Sequence, residues 1–409
     1  MKKVLFNIFL FGMIFLTSGC NRYLDMEPDD RLTQKMVFND IKRTRGWLSA
    51  IYNYMPDPFL TYIRDWGFPF ISDDAQIAIA MGSFTNWARI VAYNNGSMYA
   101  GYALQSSSNL WLNTYQKVRS AYIFQNNVKA LPSQGLTEED VTQMKNEARF
   151  LIAYYYERML ELYGPFPLVT SELPSDASTE ELMLPRTPYE DIVTWLDNEF
   201  TELAASLPAE YTDASTMTGR PTKGVCLALK ARLWLFAASP LFNGNSNFAN
   251  IKNPDGTALF PAIYDATKWQ KAASATRELL DLAETGVYNL YKEYYNKTTA
   301  IDPFLSYQNL FINYSTNKEL IFVYSGSSYT SWYNGIGNPR GFSGSGGYFG
   351  ATQNLCDSYF MQLNYGDGAF AYLNKICTVR TASLYNTTTG AYKGGTGGRS
   401  QSFILFAPK

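Results

Sequence analysis

The sequence of 409 residues contains no histidine and only four cysteines, and each shortage excludes a class of function. Without histidine the chain cannot build Ser-His-Asp or Cys-His nucleophilic systems or the usual zinc sites, and it lacks the most common general base near neutral pH. Cys226, Cys356 and Cys377 have no CxxC spacing, so they do not imply a disulfide framework. We therefore expect a binding protein and not an enzyme, with no cofactor and no metal.

Charge and hydropathy restrict the possibilities further. The formal net charge is -2, and the acidic and basic residues are interspersed. This leaves no basic surface for nucleic acid, which is therefore not an expected partner. Beyond the amino-terminal segment no stretch is long and apolar enough to cross a membrane. The length allows one large unit or two domains with a real core.

The amino-terminal residues have the layout of an export signal. Two lysines precede an apolar run over residues 4–16, and two small residues come directly before Cys20. The run is too short to span a bilayer and lacks a stop-transfer flank. The cysteine makes the segment resemble a bacterial lipoprotein signal, in which residues 1–19 are removed and Cys20 is lipidated. An ordinary secretory peptide is the alternative. The mature protein is expected to be soluble but anchored by lipid.

The spacing of apolar residues predicts a mainly α-helical fold. The clearest helix covers residues 137–163, where apolar side chains recur at steps of three and four. Thr137 is its predicted N-cap, acids occupy its first turn, and Gly164 and Pro165 end it. Further helices are predicted for residues 41–54, 109–131, 187–207, 222–239 and 269–283.

Cap residues and composition define three of these helices more closely. Thr187 begins a predicted capping box that has Pro188 at the first helical position. The helix after Thr222 is apolar on nearly all sides, which predicts a buried helix. Asp265 or Thr267 is expected to cap the last one.

Long segments without helical periodicity separate the helices, at residues 56–108, 243–264 and 288–350. Loops of such length inside a compact protein are usually functional. Aromatic residues make up 16% of the chain, and many lie among Gly, Asn and Ser. Rigid amphipathic rings in polar loops suit ligands that combine apolar faces with many hydroxyl groups.

Several short motifs follow one another in a specific order. The run EARFLIAYYYERMLELYGPFPLV lies at residues 147–169, RPTKG at 220–224 and ALKARL at 228–233, and SDD lies upstream at residues 72–74. Together with the lipoprotein-like signal, this order resembles the SusD/RagB family of Bacteroidetes lipoproteins. The resemblance covers roughly residues 20–370.

The resemblance implies a scaffold of helix pairs that pack like tetratricopeptide repeats, with a loop-rich subregion that carries the ligand surface. After the signal peptide at residues 1–19, a SusD-like domain is expected at 20–370 and a divergent or truncated tail at 371–409. Within the domain, the helical scaffold is expected at about 40–60, 109–163, 187–240 and 265–286, and the loop-rich parts at 56–108 and 288–350.

The carboxyl end departs from the family pattern. Resembling proteins commonly continue well past this length, and their late block cannot be found here. The tail is either a shortened variant or the product of a truncated reading frame, and we favour truncation. Truncation would expose a face that further helices should cover.

The family resemblance also implies a function. Such proteins are lipid-anchored on the outer membrane, face outward, and lie over a SusC-type TonB-dependent transporter, to which they deliver oligosaccharides or sometimes peptides. They bind without cleaving. The alternatives are a helical-repeat adaptor or peptide-binding lipoprotein of the same transporter system, and a glycoside hydrolase. For hydrolysis Asp73 and Asp74 are the only tempting pair, and adjacent acids diverge where the mechanism needs facing groups.

Ligand contacts are expected outside the family motifs. Glu147, Arg149, Arg220 and Arg232 are expected to pair charges between helices, and Asp73 could instead belong to a turn or a cap. Loop aromatics with neighbouring polar groups suit sugar rings and their hydroxyls, with Trp87 and Trp332 the strongest candidates. The candidate residues are Trp66, Asp73, Trp87, Arg89, Tyr93 and Asn94 in the first loop-rich part, and Tyr329, Trp332, Tyr333 and Arg340 in the second.

Overall fold

Helices make up most of the structure, which is a computed structural model. It describes residues 32–55, 68–77, 88–97, 110–211, 219–295, 299–313, 317–324, 349–352, 354–355, 385–386 and 391–392. The predicted mainly α-helical class is confirmed, whereas the tetratricopeptide-like packing of the pairs stays a prediction. The helices are α1 (Gln34–Phe38), α2 (Ile41–Tyr52), α3 (Phe68–Ile71), α4 (Ala88–Asn94), α5 (Leu110–Asn127), α6 (Glu138–Tyr163), α7 (Thr179–Leu182), α8 (Tyr189–Ser206), α9 (Lys223–Ala238), α10 (Thr267–Glu284) and α11 (Pro303–Ile312).

Strands are short and pair only in twos within the described ranges. They are β1 (Ala75–Ile77), β2 (Glu293–Tyr294), β3 (Ile301–Asp302), β4 (Phe349–Ala351), β5 (Tyr385–Asn386) and β6 (Ala391–Tyr392). The antiparallel pairs are β1 with β4, β2 with β3, and β5 with β6. Among the helices that the structure describes, none combines the length and apolar character needed to cross a membrane.

The long helix α6 forms because both of its ends are chemically specified. At its start the Thr137 hydroxyl accepts a hydrogen bond from the Asp140 amide (3.1 Å), and the Asp140 carboxylate accepts one from the Thr137 amide (2.9 Å). The bond from the Thr137 amide lowers the pKa of Asp140. At its end Gly164 adopts φ 64°, a conformation that L side chains rarely adopt. The predicted start and stop of this helix are confirmed.

Neighbouring helices stack in sequence around α6. It packs against α2, α5 and α8; α8 packs against α9, and α9 against α10. The tyrosines in the middle of α6 belong to this core. The Tyr155 hydroxyl donates to the Ile51 carbonyl (2.6 Å) and the Tyr156 hydroxyl to the Val169 carbonyl (2.8 Å), and burial raises the pKa of both phenols well above its usual value. These aromatic residues therefore serve packing and not recognition.

Helix α9 is buried on almost every side, as predicted. Its buried residues include Val225, Ala231 and Ala237, which lie in different directions around the helix axis. Cys226 is also fully enclosed, and burial raises the pKa of its thiol to about 12. The Thr222 side chain accepts a hydrogen bond from Val225 N, so Thr222 is the N-cap of this helix.

Charged residues of the family-like motifs pair between helices, as predicted. Glu147 in α6 is completely buried, and its carboxylate lies 2.6 Å from the Arg220 guanidinium just before α9. The Tyr52 hydroxyl donates to the same carboxylate from α2 (2.8 Å). Because a buried carboxylate is costly unless it is paired and hydrogen-bonded, these contacts hold three parts of the scaffold together.

Three further ion pairs extend this arrangement. Arg232 in α9 donates from both Nε (2.9 Å) and Nη2 (2.7 Å) to Glu157 Oε1, and Arg158 also contacts the Glu157 carboxylate (2.9 Å). Arg149, also in α6, contacts the Glu199 carboxylate in α8 (2.5 Å). Helix α6 is thus joined by charge to both α8 and α9.

Two predicted helix starts need correction. Helix α8 begins after Pro188 without a side-chain cap, so the capping box expected at Thr187 is wrong. The Thr187 hydroxyl instead accepts from Leu168 N (3.2 Å), because it is used to hold the chain that follows α6. Helix α10 begins at Thr267 with Ala266 as its N-cap; Asp265 accepts from the Thr267 amide (2.8 Å) and so serves its first turn.

The loop-rich parts contain more regular structure than the sequence indicates. The first of these parts begins after helix α2, which ends at Tyr52 and not near residue 60 as expected. Helix α11 lies inside the segment 288–350, because Asp302 accepts from Leu305 N (3.0 Å) and Pro303 suits the first helical position. Helices α3 and α4 with strand β1 lie in the first loop-rich part. The expected domain limits at residues 20 and 370 lie outside the described residues.

The ion pair between Arg220 and Glu147 predicts an asymmetric response to substitution. Arg220→Met leaves Glu147 buried without its cation and should reduce the free energy of unfolding by about 3–5 kcal/mol. Glu147→Gln keeps an acceptor for Tyr52, and the partly exposed Arg220 can be hydrated, so its cost should be about 1–2 kcal/mol. Urea denaturation followed by circular dichroism measures both. Arg277→Met removes one partner of an exposed ion pair and is the control, which should leave the midpoint of urea denaturation unchanged. Equal losses of stability for Arg220→Met and Glu147→Gln would contradict the expected asymmetry.

Glycines in different conformations should respond with opposite signs. Gly164→Ala forces a side chain into φ 64° and places a Cβ 3.0 Å from the Phe260 ring, so we expect a loss of about 1–3 kcal/mol. Gly46 lies within α2 with nothing near its Cβ position, so Gly46→Ala should stabilise by about 0.5–1 kcal/mol. Thermal and urea unfolding of both variants test this, and stabilisation by Gly164→Ala would show that the turn tolerates a side chain.

Candidate functional site

A short strand pairing joins the two loop-rich parts of the chain. Strand β1 pairs antiparallel with β4, with Gln76 opposite Gly350. Next to this pairing, Thr352 N donates to the Asp74 carbonyl (2.9 Å), and the Thr352 hydroxyl donates to the Asp73 carbonyl. Residues separated by nearly the whole helical scaffold therefore meet at one small sheet, and this sheet is the centre of the candidate site.

Buried apolar residues lie in β1 and in the two short helices of the first loop-rich part. Phe70 in α3, Ile77 in β1 and Ile90 in α4 are buried, and α3 contacts both β1 and α4. These three residues are not members of the main core cluster formed by the helix stack. The described part of the candidate site is thus held by contacts between short elements.

The predicted residue Asp73 lies in an exposed bend. The Ser72 hydroxyl accepts a hydrogen bond from Asp74 N (3.2 Å), so residues 72–74 form the turn that was one of the two alternatives for this motif. The carbonyl group of Asp73, and not its carboxylate, makes the contact with Thr352. The carboxylate is therefore left at the surface, where a ligand could reach it.

Tyr93 and Asn94 lie at the exposed end of α4. Tyr93 is 42% exposed, so its ring is accessible to solvent. The chain then turns: Asn95 Oδ1 accepts from Ser97 N (3.0 Å), and Gly96 adopts φ 72°. This turn fixes the end of α4, so that Tyr93 and Asn94 point away from the packed cluster into accessible space.

The remaining predicted site residues cannot be compared with the structure. Arg89 is part of the α4 backbone, and only its helical conformation is described. The others lie outside the described residues, as does Cys20: Trp66, Trp87, Tyr329, Trp332, Tyr333 and Arg340. In the part of the chain that is described, no group of three or more acidic or cysteine side chains is arranged to hold a metal ion.

The sequence interpretation missed a polar cluster in the second loop-rich part. Hydrogen bonds join Tyr291, Glu293 and Asn309, which come from an extended segment and from α11. A signal existed, since Tyr291 and Glu293 are two residues apart, which is the period of a strand. The interpretation had instead followed the tryptophan and glycine residues further along the chain.

Comparison with known proteins gives consistent similarities. A family model described as "SusD-like_3: Starch-binding associating with outer membrane" matches residues 22–235. The starch-binding protein SusD of Bacteroides thetaiotaomicron is 27% identical over 123 residues, which are 29% of this chain and 20% of that protein.

Solved structures show the same relationship. BT4246 has 30% sequence identity and a TM-score of 0.54, and the match covers 66% of this chain and 43% of that one. A SusD-like protein of Bacteroides fragilis has 19% identity and a TM-score of 0.57, over 82% of this chain and 56% of that one, and it supports the fold alone. The chain thus spans about half the length of these two structures and a fifth of the curated relative.

The contacts of Thr352 predict how the sheet depends on this side chain. Thr352→Val removes the hydrogen bond to the Asp73 carbonyl and should weaken the pairing of β1 with β4 by about 0.5–1.5 kcal/mol. Faster amide hydrogen exchange at residues 75–77 is the expected observation. Asp73→Asn should leave exchange unchanged, because the carboxylate does not hold the sheet. Faster exchange in the Asp73 variant would show that the carboxylate has a structural role.

Proposed function

Because the chain belongs to the SusD-like family, described as starch-binding and associated with the outer membrane, we propose that it captures oligosaccharides at the cell surface and delivers them to a SusC-type TonB-dependent transporter. In this proposal Cys20 carries the lipid anchor, and the mature protein faces the extracellular side. The protein acts by binding and does not cleave its ligand.

The observation that carries the proposal is the joining of the two loop-rich parts by β1 and β4. Along the sequence Trp87 directly precedes α4 and Arg340 precedes β4, which supports a ligand surface that draws on both groups of candidate residues. Asp73, Tyr93 and Asn94 offer a carboxylate, an aromatic ring and an amide at the exposed surface of the same region. Sugars need this combination, since their C–H faces lie against rings and their hydroxyls need polar partners.

The helical scaffold supports the same division of roles. Its core is dense, and its charged motif residues are occupied by pairs between helices. They are therefore committed to structure, which supports ligand binding by the loop-rich parts and contact with the transporter by the helix stack. Asp73 and Asp74 remain a poor pair for hydrolysis, because they are consecutive residues of one bend.

Titration against a glycan panel tests the proposal. The chain without its signal, carrying Cys20→Ser to keep it soluble, is titrated calorimetrically with neutral α- and β-glucan oligosaccharides and with peptides. We expect binding of a glycan class, and a loss of roughly tenfold in affinity for Trp87→Ala or Trp332→Ala (about 1.4 kcal/mol). Trp269→Ala is the matched control, because this ring is 43% exposed but lies on α10 in the helix stack.

Each other result points to a different alternative. Transporter association without binding of any glycan would favour the adaptor, and binding of peptides alone would favour the peptide-binding lipoprotein. Hydrolysis products in the same mixtures would favour the glycoside hydrolase. An equal loss of affinity in Trp269→Ala would move the ligand surface from the loop-rich parts to the helices.

A further inference from the structure

Two carboxyl groups share the same pair of arginines where α6 packs against α9. Glu157 and Glu161 are four residues apart in α6, so they lie on the same face of that helix. Arg158 lies 2.9 Å from Glu157 Oε2 and 2.7 Å from Glu161 Oε2. Arg232, in α9, lies 2.7 Å from Glu157 Oε1 and 3.9 Å from Glu161 Oε2. These four side chains form one charge cluster.

The arginines do not serve the two carboxyl groups equally. Glu157 accepts hydrogen bonds from Nε of Arg158 (2.9 Å) and from Nε (2.9 Å) and Nη2 (2.7 Å) of Arg232. Glu161 Oε2 is enclosed and accepts no hydrogen bond from the described residues, since its contact with Arg158 Nη1 lacks hydrogen-bond geometry. Glu157 therefore receives the aligned donors, and Glu161 Oε2 has ionic contacts alone.

The surroundings of the charge cluster disfavour a second negative charge. The side chains of Glu157 and Glu161 are only 4% and 19% exposed. Both border a cavity of about 10 Å³, whose other walls are Leu160, Leu233, Phe236, Phe242 and Tyr189. An ionised carboxylate in such surroundings is costly unless it is paired and hydrogen-bonded, and it commonly binds a proton instead. Burial accordingly raises the pKa of both groups; Arg158 opposes this, and the Glu157 charge adds to the rise for Glu161.

Other titratable groups reach this region from α8 and α10. Tyr189 at the start of α8 stays neutral, because burial raises the pKa of its phenol. Glu190 beside it pairs with Lys268 of α10 (2.5 Å), so its charge is matched by a cation. Among the described residues, the balance of charge is therefore decided within the cluster itself.

We propose that Glu161 is a proton-binding site of the scaffold, which takes up a proton as the pH falls while Glu157 stays ionised between the two arginines. The proton removes one of two neighbouring negative charges, and the bonds from Arg232 to Glu157 still join α9 to α6. The Arg232 side chain is 37% exposed, so water solvates the positive charge that is left over. This inference does not depend on the ligand of the protein.

Proton uptake at Glu161 gives its contribution to stability a definite sign. A carboxyl group whose pKa is raised by folding stabilises the folded state at low pH, and this contribution is lost as the pH rises through the folded-state pKa. Asp140 acts in the opposite sense, because hydrogen bonds from Thr137 lower its pKa, so its contribution is lost as the pH falls. The pH dependence of the whole chain is therefore composite, and the difference between a Glu161 variant and the wild type isolates this site.

Urea denaturation of the soluble full chain, followed by circular dichroism between about pH 5 and about pH 8, tests the proposal. Glu161→Gln carries no charge and resembles the protonated group at every pH. It should raise the midpoint of denaturation at about pH 8, and its advantage over the wild type should shrink as the pH falls to about 5. Glu202→Gln is the matched control, because this carboxylate also contacts an arginine but is 63% exposed, so the variant should not be stabilised at either pH.

Infrared difference spectroscopy of the folded chain gives a second readout. The C=O stretch of a protonated carboxyl group should be present in the wild type at about pH 5.5, where an exposed glutamate is ionised, and should be missing in Glu161→Gln. A wild type without this band overturns the proposal, and a band that persists in the variant assigns the proton to another group. The proposal also fails if Glu161→Gln shifts the midpoint equally at both pH values, or lowers it at both to the point of unfolding, since Glu161 would then be a permanently charged structural partner.

Discussion

The pairing of buried carboxylates in α6 with arginines from the neighbouring helix is the constraint on which the scaffold depends. Glu147 and Glu157 lie on the central helix, where hydration is lost, and each is matched by an arginine associated with α9. An unpaired charge in that position would be too costly to tolerate, so α9 must lie against α6 in one register. Arg149 adds the link to α8. The apolar contacts supply most of the burial, while the charges restrict how the helices can slide against one another.

A scaffold fixed in this way leaves the loop-rich parts free to specialise. Their described portions rest on small supports: a short strand pair with three buried apolar residues in one case, and a few polar contacts between an extended segment and α11 in the other. Such supports bury little surface and so contribute little to global stability. They do place exposed rings, carboxylates and amides at defined positions. Under the proposed function, this division lets the ligand surface change without disturbing the helix stack.

The success of the sequence interpretation differs between scaffold and site. The cap at Thr137 was predictable, because a cap is a local contact over three residues. Thr187 had the same local pattern, but its hydroxyl is used by Leu168, and nothing in the neighbouring sequence indicates that competition. The four charged motif residues were expected to pair between helices, yet their particular partners follow only from the stacking. The Glu293 cluster was missed because its amide groups come from another element and its signal is a short alternation.

The sequence by itself determined where most helices lie, that the fold is mainly helical, and that histidine-dependent chemistry is excluded. These properties follow from composition and from contacts within one or two helical turns, which a linear pattern records. Only the tertiary structure decided which arginine meets which glutamate, that β1 pairs with β4, and that Tyr291 and Asn309 meet at Glu293. Each of these depends on groups that are distant along the chain or lie on separate elements and are brought together by packing. No local pattern can encode which of many such pairs forms.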